Sequence, residues 1–233
     1  KLMNAILLAA GYGKRLKSIT KKIPKCLIKI NGKALLGIWI ERLNVLGVKN
    51  ILINTHYLSE KVEKFVKNST YSNKIKTVHE KKLLGTGKTV LKNLNLLNDE
   101  DTLIIHADNF CLDDLKKLIL KHNKRPKKCS MTMMIFKCKE PKLYGIVELD
   151  KVGIVKKMHE KVKNPPGSIA NCAIYVVSNK FFTDLKKIKK VKDFSKDILP
   201  NFLGKIYTYQ TKKPFFDIGT SKYLKEANRV FQK

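Results

Sequence analysis

At 233 residues, 43% of them hydrophobic, the chain can bury a substantial core, and its composition excludes a disordered polypeptide. Lysine and arginine number 49 against 19 aspartates and glutamates, for a formal net charge of +30. The excess is lysine spread from end to end, while arginine occurs only at Arg15, Arg42, Arg125 and Arg229; because arginine is the favoured reader of base edges, this compositional bias argues against specific nucleic-acid recognition.

Cys26, Cys111, Cys129, Cys138 and Cys172 are odd in number, widely spaced and without a C-x-x-C pair. They read as small buried hydrophobes in a reducing compartment. With no signal-peptide pattern and no apolar run long enough to span a bilayer, the expectation is a cytoplasmic protein with no membrane partner. Lys1-Leu2 precede Met3, which reads as the natural start.

In chain order, an apolar strand over 4–9 breaks into a loop holding Gly11 and Gly13, followed by the cations Lys14, Arg15 and Lys25. Glycine tolerates positive φ and lets a phosphate approach backbone N–H groups. Arg15 and Lys25 supply charge that amides alone cannot. The spacing is neither G-x-G-x-x-G nor G-x-x-x-x-G-K-[ST]. The loop is therefore a triphosphate-binding candidate of another kind; the alternative is an ordinary strand-to-helix turn.

Strands over 50–54, 76–79 and 102–107 alternate with helices over 33–46, 59–66 and 86–96, which predicts a parallel sheet covered on both faces. The apolar runs 51–53 and 103–105 read as central strands. Trp39 falls on the apolar stripe of its helix and reads as core. A helix over 113–122 begins with acidic residues and ends in Lys121 and His122, matching the macrodipole. Beyond Arg125-Pro126 the chain turns β-rich: strands over 130–136, 145–149, 154–159 and 173–177, with a hairpin turn at 150–153. Pro165-Pro166-Gly167 makes a stiff turn before the last of these. Helical segments over 180–188 and 194–202, a strand over 205–211 and a helix over 221–231 close the chain. No repeat or linker is visible, so a single domain over 1–233 is expected, with a nucleotide-binding half over 1–125 and a β-rich half over 126–233.

The motifs along this frame resemble those of the sugar-nucleotidyltransferase family. L-A-A-G-Y-G-K-R-L followed by P-K-C-L is similar to that family's L-A-G-G-x-G-T-R-L…P-K-P-L. L-G-T-G over 84–87, H-A-D over 106–108, Y-G-I-V-E over 144–148, H-E-K-V over 159–162, A-N-C-A-I-Y around Asn171 and F-D-I-G-T over 216–220 follow in the family's order. Cys26 stands where the family usually has proline, and His106-Ala107 replace the commoner N-G or N-S before Asp108.

The resemblance implies a Rossmann-like three-layer α/β/α nucleotidyltransferase fold with a mainly parallel central sheet and a β-rich acceptor-binding half. It implies transfer of a nucleoside monophosphate from an NTP to a sugar 1-phosphate, by direct in-line attack on the α-phosphorus with release of pyrophosphate. Leu8, Ala9, Ala10, Gly11, Gly13 and Lys14 then bind the nucleotide, and Arg15 and Lys25 draw charge from the departing pyrophosphate. Asp108 and Asp217 are the expected ligands of Mg²⁺. Read alone, Asp108 is a turn residue after a strand, and Asp217 an N-cap of the final helix. Glu80, Gly85 and Thr86 are assigned to the nucleobase. A carboxylate suits the paired N1–H and N2–H of guanine, and the L-G-T form resembles guanylyltransferases; the other reading of Glu80 is a solvated surface residue. Gly145, Glu160, Lys161 and Asn171 map onto the acceptor, with Lys161 holding the attacking phosphate; the alternative is a charged hairpin surface. GTP with a mannose, hexosamine or heptose 1-phosphate is the favoured pair. Cytidylyl, thymidylyl or uridylyl transfer stays open, as do a non-catalytic basic nucleotide or nucleic-acid binder and a homodimer formed through the β-rich half.

Overall fold

The computed structural model describes residues 3–97 and 100–231, so the Lys1-Leu2 pair ahead of Met3 lies outside the described residues. The first elements are β1 (Met3–Leu8), α1 (Lys17–Thr20), β2 (Lys29–Ile30), β3 (Lys33–Ala34), α2 (Leu35–Val45), β4 (Asn50–Thr55), α3 (Ser59–Lys67) and β5 (Ile75–His79). Then come α4 (Thr86–Lys92), β6 (Asp101–His106), β7 (Asn109–Cys111), α5 (Leu115–Asn123) and β8 (Met131–Lys137). The chain ends with β9 (Gly145–Leu149), β10 (Val155–Glu160), β11 (Ile169–Val177), α6 (Asn179–Leu185), β12 (Ile206–Gln210), β13 (Phe215–Asp217) and α7 (Ser221–Phe231).

Two compact units emerge. The first takes the chain up to Leu83, Ile105–Leu112 and the chain from Pro214; the second takes Leu84–Ile104 and Asp113–Lys213. In the first unit β1 pairs parallel with β4, Ala5 opposite Ile51 and Leu7 opposite Ile53, and β4 pairs parallel with β5. Every residue of β1 is buried, which is why the run is continuously apolar rather than alternating. The helix predicted from residue 33 begins at Leu35, because Lys33–Ala34 fold back on Lys29–Ile30 as a two-stranded hairpin. Asn31 and Gly32 turn it with φ of 47° and 83°, the Asn-Gly signature of a tight hairpin. A second ribbon pairs β13 with β7, Asp217 opposite Asn109 and Phe215 opposite Cys111. Three-residue strands carry too little periodicity to be read from sequence.

In the second unit β8 lies parallel to β12 and antiparallel to β11, while β9 pairs antiparallel with β10 and β11. Strand β11 starts at Ile169, before the predicted 173, and its register slips between Asn171 and Tyr175. Ala173 has φ of 51° at that bulge, so the polar Asn171 interrupts the apolar pattern without ending the strand. The predicted helix over 194–202 is a wide turn, Phe194–Ile198, followed by a tight one, Leu199–Phe202. Pro200 lacks the N–H needed to propagate a regular helix. Around it Tyr175, Phe181, Phe194 and Phe202 form an aromatic cluster with ring centroids 4.7–6.1 Å apart. All five cysteines are buried, and burial pushes the Cys26 thiol up to about 12, which leaves it a packing residue. Among the described residues no helix is long and apolar enough to cross a membrane.

Trp39, predicted to be core, is 1% exposed, and its indole N–H donates to the Asn109 carbonyl at 2.9 Å. That bond anchors the start of β7, one residue beyond Asp108. Trp39→Phe keeps an aromatic ring but removes the donor and leaves part of the indole volume empty, and should cost about 1–3 kcal/mol. For a chain of this size that lowers Tm by roughly 2–10 °C, readable by calorimetry.

Candidate active site

The first unit gathers charge at the C-terminal ends of its strands, where open α/β sheets bind ligands. Beyond β1, Ala9 and Ala10 are buried and Gly11 emerges into the open; a Cβ at Gly11 would meet nothing within 4 Å. Gly13 has φ of 64°, and a Cβ there would lie 2.7 Å from the Thr20 methyl. Thr20 Oγ1 donates to the Gly13 and Leu16 carbonyls, both at 3.0 Å, and so ties the loop to the turn that follows. Lys14 and Arg15 are exposed beyond this bend.

Lys25 enters from a short turn after Pro24, and its side chain is only 8% exposed. Its ammonium lies 2.5 Å from Asp108 Oδ2 and 3.2 Å from Asp217 Oδ1. Arg15 donates to the other oxygen of Asp217 at 3.2 Å. Asp108 occupies the turn between β6 and β7, and Asp217 ends β13; the Ile218 N–H donates to the Asp108 carbonyl at 3.0 Å and joins the two segments. Asp217 is therefore not the cap of the final helix: that helix begins at Ser221, and the Thr220 hydroxyl accepts from Tyr223 N. Burial disfavours the Lys25 ammonium, but Asp108 and Asp217 outweigh it and raise its pKa. Burial likewise pushes the Asp108 carboxyl up, whereas Lys25 and then His106 draw it below the usual range. Both groups stay charged at neutral pH.

Glu80 is not a solvated residue: it is 4% exposed. Its Oε1 accepts from Asn54 Nδ2 at 2.9 Å, while Asn54 Oδ1 accepts from the Ala9 N–H at 2.8 Å. His56 Nδ1 lies 2.6 Å from the Glu80 carbonyl and Nε2 lies 2.8 Å from the Tyr12 hydroxyl. Asn54, His56 and Tyr12 escape a motif-based reading. The available signals were a polar residue inside the apolar run I-L-I-N-T and an aromatic between the two loop glycines.

In the second unit Gly85 has φ of 91°, and a Cβ there would lie 2.6 Å from the Lys192 carbonyl. That carbonyl accepts from the Gly87 and Lys88 N–H groups, and Thr86 Oγ1 accepts from Phe194 N. The glycines of this motif thus make room for the 191–194 backbone. Gly145 plays a similar part, since a Cβ there would lie 2.5 Å from Glu160 Oε2. Glu160 is partly buried and Lys161, with φ of 51°, turns its exposed ammonium to 3.8 Å from Glu160 Oε1. Burial lifts the Glu160 carboxyl above its ordinary value despite Lys161, and Asp193 adds to the rise. Asn171 is 8% exposed; Nδ2 donates to the Tyr175 hydroxyl at 2.7 Å and Oδ1 accepts from Ala173 N at 2.8 Å. Gly145 and Asn171 are therefore buried, unlike residues of a charged hairpin surface.

A parallel α/β unit that brings two carboxylates and two cations to its strand ends, behind a glycine loop, has the make-up of an enzyme that handles phosphates. The nucleotidyl transferase family model matches residues 4–233. The chain is 29% identical to D-glycero-alpha-D-manno-heptose 1-phosphate guanylyltransferase of Aneurinibacillus thermoaerophilus, over 99% of each. It is 33% identical to the bifunctional protein GlmU of Methanocaldococcus jannaschii over 80% of the chain, a match that spans only 43% of that relative's length. The crystal structure of HddC from Yersinia pseudotuberculosis complexed with GMP-PN is similar with a TM-score of 0.80 at 27% identity, covering 98% of this chain and 99% of that one. The chain belongs to the nucleotidyl transferase family. It has the family's mixed α/β, Rossmann-like fold with a mainly parallel central sheet, as the sequence motifs implied.

Gly219 lets Arg15 reach Asp217: a Cβ there would lie 2.5 Å from the guanidinium and 3.0 Å from Asp217 Oδ1. Since the Arg15 side chain is exposed, Gly219→Ala should displace it without unfolding the chain. The expected outcome is a kcat/KM for nucleotide at least tenfold lower, about 1.4 kcal/mol, with Tm nearly unchanged.

Proposed function

We propose that this chain is a Mg²⁺-dependent sugar-1-phosphate guanylyltransferase, joining GMP from GTP to a sugar 1-phosphate of heptose or mannose type and releasing pyrophosphate. The observation that carries this reading is the Lys25 ammonium held between the Asp108 and Asp217 carboxylates, with Arg15 on the far oxygen of Asp217. Its guanine side is supported by the heptose 1-phosphate guanylyltransferase relative and by the neighbour complexed with GMP-PN.

The donor set suits the metal. Two carboxylates already converge on one cation, and hard oxygen ligands are what Mg²⁺ prefers. No group of three or more His, Cys, Asp or Glu residues among the described residues is disposed to hold a metal. An ion on Asp108 and Asp217 would thus take its other ligands from phosphate and water. When bound, Mg²⁺ supplies positive charge against the phosphates.

The remaining work falls to the chain. The Gly11–Gly13 loop and Lys14 seat the triphosphate, and Arg15 and Lys25 stabilise the charge that gathers on pyrophosphate as its bond to the α-phosphorus breaks. Glu80 with Gly85 and Thr86 recognises the base. Lys161 holds the sugar phosphate whose oxygen forms the new bond, and Gly145, Glu160 and Asn171 orient the sugar. No protein nucleophile takes part. On this reading residues 1–233 work as one nucleotidyltransferase domain.

Coupled pyrophosphate release, with each triphosphate paired against a panel of sugar 1-phosphates, tests the proposal. GTP with a heptose or mannose phosphate should turn over, and silence with every pair would refute it. Asp108→Asn and Asp217→Asn should each lower kcat by roughly 100-fold or more, and chelation should abolish turnover until Mg²⁺ is restored. Glu160 adds a pH signature. Because burial raises its pKa, KM for the sugar phosphate should climb as pH falls, beginning above the ordinary glutamate value of about 4.3. Glu160→Gln should raise KM throughout and flatten that limb of the pH profile.

A further inference from the structure

We infer that Asn54 and His56, side by side at the end of β4, are positioning residues that lock the nucleotide loop to Glu80 and thereby set base selectivity. The inference rests on the proposed role of Glu80 as the carboxylate that reads the base. Asn54 is 3% exposed, and its strand is paired on both sides, with Leu8 and Val78 as neighbours in register. Its amide uses both ends. Oδ1 accepts from the Ala9 N–H at 2.8 Å, and Nδ2 donates to Glu80 Oε1 at 2.9 Å. An amide can make this pair of bonds because one end accepts and the other donates; a carboxylate or a hydrocarbon cannot.

His56 builds a second bridge between the same two segments. Its Nδ1 lies 2.6 Å from the Glu80 carbonyl, which only accepts, so Nδ1 carries the proton. Nε2 lies 2.8 Å from the Tyr12 hydroxyl, a group able to donate and to accept, and so completes the bridge. Tyr12, on the loop between Gly11 and Gly13, packs edge-on against His56 at 5.4 Å and tilts against Tyr57 at 5.5 Å. The Glu80 N–H donates to the Thr55 carbonyl at 2.8 Å, so the residue between the two clamps holds the backbone as well. Loop and base-reading segment are thus tied at Ala9 and Tyr12 on one side, and at the Glu80 carboxylate, carbonyl and N–H on the other. A hydrogen-bonding site discriminates between bases only while its groups hold their places, and these ties fix Glu80 relative to the loop that seats the phosphates.

The test measures kcat/KM for each triphosphate at saturating sugar 1-phosphate, and takes the ratio of the preferred base to the others. Asn54→Asp keeps the acceptor for Ala9 but sets a second carboxylate against Glu80. It should lower the ratio about tenfold or more and leave KM for the sugar phosphate unchanged. The double variant Asn54→Asp/Glu80→Gln restores the hydrogen bond with donor and acceptor exchanged. It should recover the wild-type Tm, and failure to do so would show that the 54–80 pair is not the tie; the selectivity itself is read from the variants that keep Glu80. His56→Phe removes the second bridge from a half-buried site and should lower the ratio in the same direction, which keeps the test alive if Asn54→Asp does not fold. An unchanged ratio, equal losses with every triphosphate, or a wild-type chain without base preference would overturn the inference. A wild-type preference for a base other than guanine refutes the GTP assignment instead, and the ratio for that base still decides the role of Asn54.

Discussion

A lysine ammonium buried next to a strand end is costly unless carboxylates meet it, and the first unit is arranged around meeting that demand at Lys25. The three residues involved come from distant parts of the chain: a turn after Pro24, the bend between β6 and β7, and the end of β13. Separate contacts hold each in place. Trp39 anchors the backbone just after Asp108, Ile218 bonds to the Asp108 carbonyl, and the β7–β13 ribbon sets Asp217 opposite Asn109. With two negative charges on one ammonium, the cluster keeps a carboxylate's worth of negative charge, to which Arg15 responds from outside.

Glycines in both units serve close approach more than flexibility. At Gly219 a methyl group would collide with the Arg15 guanidinium, at Gly85 with the Lys192 carbonyl, and at Gly145 with the Glu160 carboxylate. These three lie directly against a charged side chain or a backbone group, whereas Gly11 faces open space. This is why glycine-bearing motifs far apart in the chain can be read together. They record where atoms must come near: for Gly145 and Gly219 those atoms sit in other motifs, at Glu160 and Arg15.

The sequence was most legible where one residue type answers one physical demand. The continuously apolar runs at 51–53 and 103–105 became buried strands, Trp39 became core, and Asp114 caps α5 by accepting from Lys116 N at 2.9 Å. Legibility failed where a tertiary contact outweighed a local pattern. Asn31-Gly32 carried a hairpin signal inside what read as the approach to a helix, and the turn won because two short strands could pair across it. For Glu80, set among the lysines of K-T-V-H-E-K-K, the letters left a solvated residue open as the other reading, and it is Asn54 that draws the side chain inward. Asn171 was mapped onto the acceptor from its motif alone, and its letters did not show that both ends of its amide also bond inside the second unit, to Tyr175 and Ala173.

By itself the sequence determined the class of fold, through the alternation of apolar strands with amphipathic helices, and the family, through the order of its motifs. Both are one-dimensional properties: periodicity and spacing survive in the string of letters. Only the tertiary structure decided which charges meet. That Lys25 lies between Asp108 and Asp217, that Arg15 takes the remaining oxygen of Asp217, and that Asn54 joins Ala9 to Glu80 depends on distances of about 3 Å between residues up to 202 positions apart. Electrostatic and hydrogen-bond energies depend on separation in space rather than along the chain.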